Sequence, residues 1–414
     1  MSWSRPFGAV LIVAGTAIGG GMLALPIVSA KLGFLPMLFI LFSCWFVMCW
    51  SSLLTLKVNL IIEPGSTFLV MSDKALGVTG KILSTLSFLL LFYAVLAAYI
   101  SGSASFLENF FSQQLFSLSH TGYCIAATGA MVVILLMGVK IVDRINRLFF
   151  CMMIACFIMI LFFLLGAAKI SAEFTLINYN YNTATALAIL PVVYTAFGFH
   201  GCTTPLISYV GNNPPVLRRV FIIGSTIPLI VYILWLTASF GVLTGSQINE
   251  LATHGTIGEL INTLTAVSRK AHWFNKSLNL FSGCAIITSF LGVALGLFDY
   301  IYFGLQKKIC DDSTQDNATR FDLITRVLAG ILTFAPPLFF AIYYPDGFIL
   351  ALGYAAIPLA FIAIFLPLAM LWVLHRQGHI FKGKMLYLLC ALFTVVVVIA
   401  QLGVAWHFLP SVNT

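Results

Sequence analysis

The run Gly15-Thr-Ala-Ile-Gly-Gly-Gly21 stands in the middle of an apolar stretch that extends from residue 7 to residue 30. Clustered glycines weaken a helix, whereas a helix that crosses lipid must satisfy its own backbone polar groups. Unwound backbone is tolerated at bilayer depth only where it is buried in protein or lines a cavity. The run therefore predicts a broken membrane helix whose backbone groups could bind the charged ends of a small molecule.

A second break of the same kind is predicted from residue 195 to residue 205, where the sequence is Thr-Ala-Phe-Gly-Phe-His-Gly-Cys-Thr-Thr-Pro. Glycines also let membrane helices pack closely, so either break alone has a purely structural explanation. Paired broken helices, however, mark the binding sites of many secondary transporters. The recurrence favours a transport site.

A small molecule that carries both a negative and a positive charge would need a partner for each of them at this depth. The N–H groups of Gly19, Gly20 and Gly21 suit a carboxylate, because they open the second half of the first span at its positive dipole end. Backbone carbonyls before the breaks suit an ammonium group, as the C-terminal ends of half-helices do. The carbonyls predicted for this role are those of Ala14, Gly15, Phe197 and Gly198.

Two side chains at the breaks each have two interpretations. Thr16 either adds a hydroxyl to the site or bonds back to its own helix. His200 lies deep in the membrane, where ionisable residues are functional candidates, and histidine changes its charge near neutral pH. His200 therefore either carries a proton in or beside the substrate site or is a neutral, hydrogen-bonded structural residue.

A ligand with an aromatic ring would need aromatic neighbours in the same cavity. The candidates are Tyr93 and Tyr99 on the third span and Phe197 and Phe199 at the second break. Most of the 37 phenylalanines and 14 tyrosines are expected to face lipid or neighbouring helices instead.

The composition is that of an integral membrane protein. Of the 414 residues, 61% are hydrophobic and only 8% are charged, against about 25% charged in soluble domains. The net charge of +8 is therefore assigned to basic loops on one side of a membrane and not to nucleic-acid binding. Neither a cofactor nor a metal site is predicted, and the nine cysteines are interpreted as buried thiols.

Eleven apolar runs are long enough to cross a bilayer. They cover residues 7–30, 34–56, 82–108, 121–139, 147–168, 184–208, 219–243, 277–305, 323–343, 347–374 and 385–409. With the N-terminus in the cytoplasm, the inner connections hold 16 of the 21 lysines and arginines and the outer ones hold five. The positive-inside rule then predicts a cytoplasmic N-terminus and a periplasmic C-terminus.

The breaks open the first and the sixth span, so each begins a set of five spans. Because five is odd, the second set enters the membrane in the opposite orientation, which predicts an inverted-topology repeat. The expected organisation is a first repeat over residues 1–170, a second over 184–374 and an eleventh helix over 385–409.

Four motifs carry a family resemblance: Val13-Ala-Gly-Thr-Ala-Ile-Gly-Gly-Gly-Met-Leu-Ala-Leu-Pro26, Phe197-Gly-Phe-His-Gly201, Phe221-Ile-Ile-Gly-Ser225 and Thr288-Ser-Phe-Leu-Gly-Val-Ala-Leu-Gly-Leu-Phe-Asp-Tyr300. Together they resemble the bacterial hydroxy/aromatic amino acid permeases, closest to the tyrosine-specific ones, from the first span to Gly353-Tyr354. The resemblance implies an all-α, leucine-transporter-like fold of the amino acid/polyamine/organocation superfamily. It also implies proton-driven import of an aromatic amino acid, first of all tyrosine, through the inner membrane.

The resemblance leaves the coupling ion open. In sodium-coupled relatives, a Thr/Ser pair on the eighth span helps to bind the ion, and Thr288 and Ser289 match that pair. In some proton-coupled relatives a lysine on the fifth span takes that place, but here the matching position is Met153. Either His200 or another group carries a proton, or the Thr/Ser pair binds sodium, or coupling is weak.

Other classes of function fit the sequence less well. A channel would need a continuous polar stripe along a pore, and a membrane enzyme would need clustered ionisable residues at bilayer depth. The few charged residues of this chain are dispersed. A sensor that has lost transport usually carries a signalling tail, whereas both tails here are short. A secondary transporter that prefers tyrosine is the leading hypothesis, with tryptophan or phenylalanine as alternative substrates.

Overall fold

The fold is helical throughout the part of the chain that the structure, a computed structural model, describes. The described residues are 4–111, 118–168, 182–267, 272–310, 318–345, 347–378 and 384–410. This agrees with the predicted all-α class, and it follows from the sequence, because a backbone at bilayer depth must satisfy its hydrogen bonds within each segment.

The first half of the chain begins with two short helices and continues with four longer ones. These are α1 (Ser4–Ala17), α2 (Gly20–Leu32), α3 (Phe34–Ile62), α4 (Phe68–Phe111), α5 (His120–Leu136) and α6 (Val139–Ala167). Helix α4 is interrupted at Gly77, where φ is +65°. Only glycine adopts such a φ at low cost, so the segment before it lies outside the long membrane helix.

The second half contains the second broken helix and two short helices between long ones. The helices are α7 (Thr183–Ala196), a 3₁₀ turn (His200–Cys202), α8 (Thr203–Val210), α9 (Pro214–Phe240), α10 (Gly245–His254), α11 (Ile257–Val267), α12 (His272–Cys310), α13 (Ala318–Tyr343), α14 (Gly347–Ala360), a π-helical turn (Phe361–Phe365), α15 (Leu366–Arg376) and α16 (Lys384–Ala405).

A helix occupies each of the eleven predicted spans, but only ten of these, among the described residues, are long and apolar enough to cross a membrane. One of the ten is the pair α1 and α2, which meet at an angle of 46°. The exception is the fourth predicted span, where α5 has 17 residues. The number of eleven crossings therefore remains a prediction.

The chain divides into two compact units, and each of them draws helices from both halves of the sequence. The first unit comprises residues 1–91, 161–255 and 352–414, and the second comprises residues 92–160 and 256–351. This division shows which helices pack together. The predicted repeats over 1–170 and 184–374 describe something different, namely a structural similarity between two successive sets of five spans. The inverted repeat remains a prediction.

In the first unit, α1 lies against α9 at unusually close range. A Cβ atom on Gly224 would stand only 2.6 Å from Cβ of Val13. Glycine at this position therefore lets two membrane helices approach more closely than any other residue would. Both predicted breaks belong to this unit.

In the second unit, the short helix α11 buries one apolar face. Four apolar side chains on one face of this helix are at most 2% exposed; they are Ile257, Leu260, Ile261 and Leu264. The Asn109 side chain donates to the Gly258 carbonyl (2.8 Å) and ties this helix to the end of α4. The helix is therefore part of the packed unit and is not a free surface segment.

Candidate functional site

The first break is narrower than its glycine run. Helix α1 continues through Gly15 and Thr16 to Ala17, and α2 begins at Gly20, so only Ile18 and Gly19 are non-helical. The Ala14 carbonyl, predicted to face an ammonium group, accepts the Ile18 N–H at 2.8 Å and so completes the last turn of α1. A carbonyl oxygen has a second lone pair, so this bond leaves part of its acceptor capacity.

The start of α2 has the features of an anion-binding helix end. Its N-cap residue, Gly19, makes no side-chain cap to the first N–H groups of the helix. These groups carry the positive end of the helix dipole, and Gly19, Gly20 and Gly21 are all buried. The predicted carboxylate site is therefore a shielded helix N-terminus.

The second break is longer and forms two tight turns. After α7 ends at Ala196, the Gly198 N–H donates to the Thr195 carbonyl (2.8 Å) and the Phe199 N–H donates to the Phe197 carbonyl (3.0 Å). A Cβ atom on Gly198 would lie 2.8 Å from the Thr195 oxygen and 3.0 Å from Leu359, so this turn has no room for a side chain.

The structure brings the two breaks together. The hydroxyl oxygen of Tyr232, on α9, lies 2.7 Å from the Ala17 carbonyl oxygen and 2.8 Å from the Ala196 carbonyl oxygen. These are the last residues of α1 and α7, immediately before the breaks. A Cβ atom on Gly21 would be 3.6 Å from Cα of Ala196, an ordinary packing distance. The positive end of α2 and the negative end of α7 are thus neighbours.

His200 is buried and bonded on one side of its ring only. Its Nε2 atom lies 2.7 Å from the Ser51 Oγ atom on α3, and its side chain is stacked on Phe199. The Nδ1 atom is buried and has no hydrogen-bond partner among the described residues. The Ser51 hydroxyl donates its single proton to the Met48 carbonyl (3.0 Å). When the Ser51 hydroxyl donates to the Met48 carbonyl, it can accept a proton from Nε2 of neutral His200, and Nδ1 is then the nitrogen with the lone pair.

Thr16 makes the bond back to its own helix. Its hydroxyl donates to the Ile12 carbonyl at 2.7 Å, and it also lies 3.8 Å from the Cys202 sulfur of the second break. The Thr16 hydroxyl is thus already engaged, although it lies on the side of α1 that faces the second break.

The aromatic candidates at the second break are packed side chains. Phe197 is 1% exposed and Phe199 is 0% exposed. The Phe197 ring meets the Tyr232 ring edge-on, with ring centroids 5.0 Å apart. In this conformation neither phenylalanine presents an open face.

The remaining candidates lie in the second unit. The Tyr93 hydroxyl donates to the Leu332 carbonyl of α13 at 2.9 Å. Tyr99 is buried, and its hydroxyl is hydrogen-bonded to the side chain of Ser289. A residue predicted to bind the substrate and one predicted to bind the coupling ion are therefore in direct contact.

Thr288 is the other residue of the Thr/Ser pair that is predicted to bind the coupling ion. Its side chain is hydrogen-bonded to the backbone of its own helix. Its hydroxyl lies 2.9 Å from the Cys284 carbonyl and 3.3 Å from the Ala285 carbonyl. Met153 is fully buried on α6, one turn before Phe157, whose ring stacks on that of Phe281 on α12. The position at which the resemblance would place a lysine is thus filled by an apolar side chain in a packed region.

Sequence reasoning missed two residues at the breaks, Tyr232 and Ser51. Both are polar side chains inside apolar helices, and that property was the available signal, because buried polar groups in membranes need partners. The sequence gives no indication of which partner each of them would find.

The apolar helices define an integral membrane protein, and the ends of its two broken helices meet at Tyr232. A sequence model described as the tryptophan/tyrosine permease family matches residues 4–408. The chain belongs to this family of amino acid transport proteins, and it is not an enzyme. The predicted resemblance to aromatic amino acid permeases is confirmed.

Similar proteins support the membership over the full length of the chain. Tyrosine-specific transport systems 1 and 2 of Haemophilus influenzae are 33% and 34% identical to it, each over 99% of both chains. The tryptophan-specific transport protein of the same organism is 31% identical over 96% of this chain and 95% of its own length. The two proteins named for tyrosine transport are thus slightly more similar to this chain than the one named for tryptophan transport.

Proposed function

We propose that this protein imports an aromatic amino acid, tyrosine in preference to tryptophan or phenylalanine, by proton symport and alternating access across the bacterial inner membrane. The observation that carries the proposal is the meeting of the two breaks at Tyr232, Ala17 and Ala196. Next to this contact, Gly21 at the positive start of α2 lies close to Ala196 at the negative end of α7, so opposite ends of two half-helices are neighbours, as a zwitterion requires.

The carboxylate is assigned to the start of α2. Gly19, Gly20 and Gly21 carry no side chain that could keep a carboxylate away from the helix end, and the dipole of α2 favours its negative charge. The ammonium group is assigned to the carbonyls before the breaks, those of Ala14, Gly15, Phe197 and Gly198. The bonds that engage the Ala14 and Phe197 carbonyls use one lone pair of each oxygen.

Tyrosine is preferred because the two relatives with the highest identities described above are named for tyrosine transport. Phe197 and Phe199 are proposed to contact the substrate ring after a rearrangement of the second break, since both are packed away in this conformation. Tyr93 and Tyr99 are retained as further candidates for the aromatic site. This rearrangement is part of the proposed alternating access.

The proton is assigned to His200. Its Nδ1 lone pair is buried without a partner among the described residues, at the second break itself. Protonation there would create an imidazolium whose Nε2 proton is already held by Ser51. The alternative is that sodium binds at Thr288 and Ser289. Met153 is not a candidate for the proton, because its side chain cannot be protonated as a lysine can.

The deciding experiment is uptake by the purified full-length protein in sealed liposomes. Radiolabelled tyrosine is supplied with an inward proton gradient alone, then with an inward sodium gradient alone, and then with neither. We expect accumulation above the external concentration only with the proton gradient. Accumulation driven by sodium alone would establish the alternative, and purely downhill flux under every gradient would indicate a channel.

Substrate preference is tested in the same liposomes. Unlabelled tyrosine, tryptophan, phenylalanine and leucine compete with labelled tyrosine, and tyrosine should compete at the lowest concentration. Tryptophan as the strongest competitor would reassign the substrate within the family. Binding without any flux would indicate a sensor.

A further inference from the structure

Tyr232 has one hydroxyl proton and two carbonyl partners. Its oxygen stands at 2.7 Å from the Ala17 oxygen and 2.8 Å from the Ala196 oxygen, and the residue is 0% exposed. The proton is therefore shared between two acceptors or alternates between them. In either case a single side chain satisfies the ends of two different helices.

The two carbonyls are those that most need such a partner. Each belongs to the last residue of a helix, whose carbonyl has no intrahelical donor because the helix stops. At bilayer depth an unsatisfied carbonyl costs several kcal/mol, and no water is at hand in the lipid to replace the missing donor. The Tyr232 hydroxyl is thus a cap supplied by a third helix.

The position of the hydroxyl is fixed by packing on both sides. Toward the start of α9, Gly224 lies two turns before Tyr232 and allows contact with Val13 of α1 at a distance that no side chain would permit. Toward the second break, the Tyr232 ring packs edge-on against Phe197. Packing therefore holds α9 and the Tyr232 ring in place, and the hydroxyl group contacts both helix ends.

We propose that Tyr232 is a positioning residue that ties the two breaks to each other and so sets the spacing of the groups that bind the two charges of the substrate. The proposal rests on the transport function proposed above. It assigns to α9 a role in the substrate site, although Tyr232 itself is engaged with the backbone. Loss of its hydroxyl should loosen both breaks at once.

The first experiment requires neither substrate nor transport. Hydrogen–deuterium exchange is measured on the full-length wild type and on Tyr232→Phe, in peptides that cover residues 14–22 and 195–204. Phenylalanine keeps the ring against Phe197 and removes only the hydroxyl. We expect faster exchange in both peptides, because both helix ends lose their cap; unchanged exchange in either peptide would overturn the proposal.

The second experiment measures tyrosine binding and uptake by the same variant. Both carbonyls lose their partner, so we expect Kd and KM to rise by about tenfold, which corresponds to about 1.4 kcal/mol. The maximal rate of uptake per folded molecule should change less than Kd and KM do. A variant with lower thermal stability but unchanged Kd and KM would show a merely structural tyrosine and overturn the positioning role.

Tyr194→Phe is the matched control. Tyr194 is also fully buried, in the same unit, but its hydroxyl lies beside Thr394 of α16 and not at the breaks. The Tyr194→Phe variant should show unchanged hydrogen–deuterium exchange in the peptide 14–22. Its Kd and KM for tyrosine should also be unchanged. If the wild type itself fails to transport, the proposed function is wrong, whereas the exchange result still decides the role of Tyr232.

Discussion

The Nε2 atom of His200 and the Oγ atom of Ser51 lie 2.7 Å apart, between the second break and helix α3. The contact with Ser51 orients the imidazole, and the buried Nδ1 atom has no hydrogen-bond partner among the described residues. One nitrogen of His200 is thus hydrogen-bonded and the other lies unbonded at the break, and both interpretations of His200, as a proton carrier or as a structural residue, remain predictions.

His200→Gln should separate coupling from translocation. Glutamine can keep a hydrogen bond to Ser51 but cannot carry a proton at neutral pH. We expect liposomes with this variant to lose proton-driven accumulation of tyrosine while they retain exchange of internal for external tyrosine. Undiminished accumulation would remove His200 from the coupling mechanism.

Ser51→Ala tests the orientation of His200. Loss of the hydroxyl leaves both ring nitrogens without a fixed partner, so proton-driven accumulation should fall while exchange persists. Ser52→Ala is the control, because the neighbouring Ser52 is equally buried but donates to the Cys49 carbonyl of its own helix (2.7 Å). Equal effects of the two substitutions would argue against a specific role for Ser51.

Gly20→Val should weaken tyrosine binding strongly and leave membrane insertion intact. A branched side chain at the first position of α2 would separate the carboxylate from the helix end. Hydrogen bonds to a charged group contribute about 1.5–3 kcal/mol, which corresponds to a loss of about tenfold to a hundredfold in Kd. Gly129→Val, at a site with open space around the Cβ position, is the control. Uptake by Gly20→Val with normal KM would refute the carboxylate assignment.

Thr288→Val distinguishes the two coupling ions. The Thr288 hydroxyl bonds only to its own helix among the described residues, and valine has nearly the same shape, so proton-driven uptake should be unchanged. If sodium binds at Thr288 and Ser289, the variant should instead lose sodium-dependent uptake. The measurement is initial uptake rate against external sodium concentration, with constant pH on both sides.

Gly224→Ala should destabilise the protein and raise KM for tyrosine. The added methyl group would stand 2.6 Å from Cβ of Val13, so α9 must move away from α1 and carry Tyr232 with it. Overpacking of this kind costs about 1–3 kcal/mol, visible as a lower melting temperature in detergent. Gly166→Ala has open space around it and should leave the melting temperature and KM unchanged.

Much of the fold follows from local sequence. A helix occupies every predicted span, because apolar length alone requires one in a bilayer. The first break was predicted too widely, since Gly15 and Thr16 stay in α1 and the helix stops only for Ile18 and Gly19. Glycine makes an interruption possible but does not fix its exact position, which depends on the neighbours that satisfy the freed groups.

The sequence by itself determined the membrane class, the family and the existence of two broken helices, because composition, glycine clusters and motifs are properties of short segments. Only the tertiary structure decided which side chains form hydrogen bonds with the residues at the breaks. Tyr232 meets Ala17 across 215 residues of sequence, and His200 meets Ser51 across 149. A tyrosine or serine in an apolar helix signals that it needs a partner, and three-dimensional packing alone determines which one it finds.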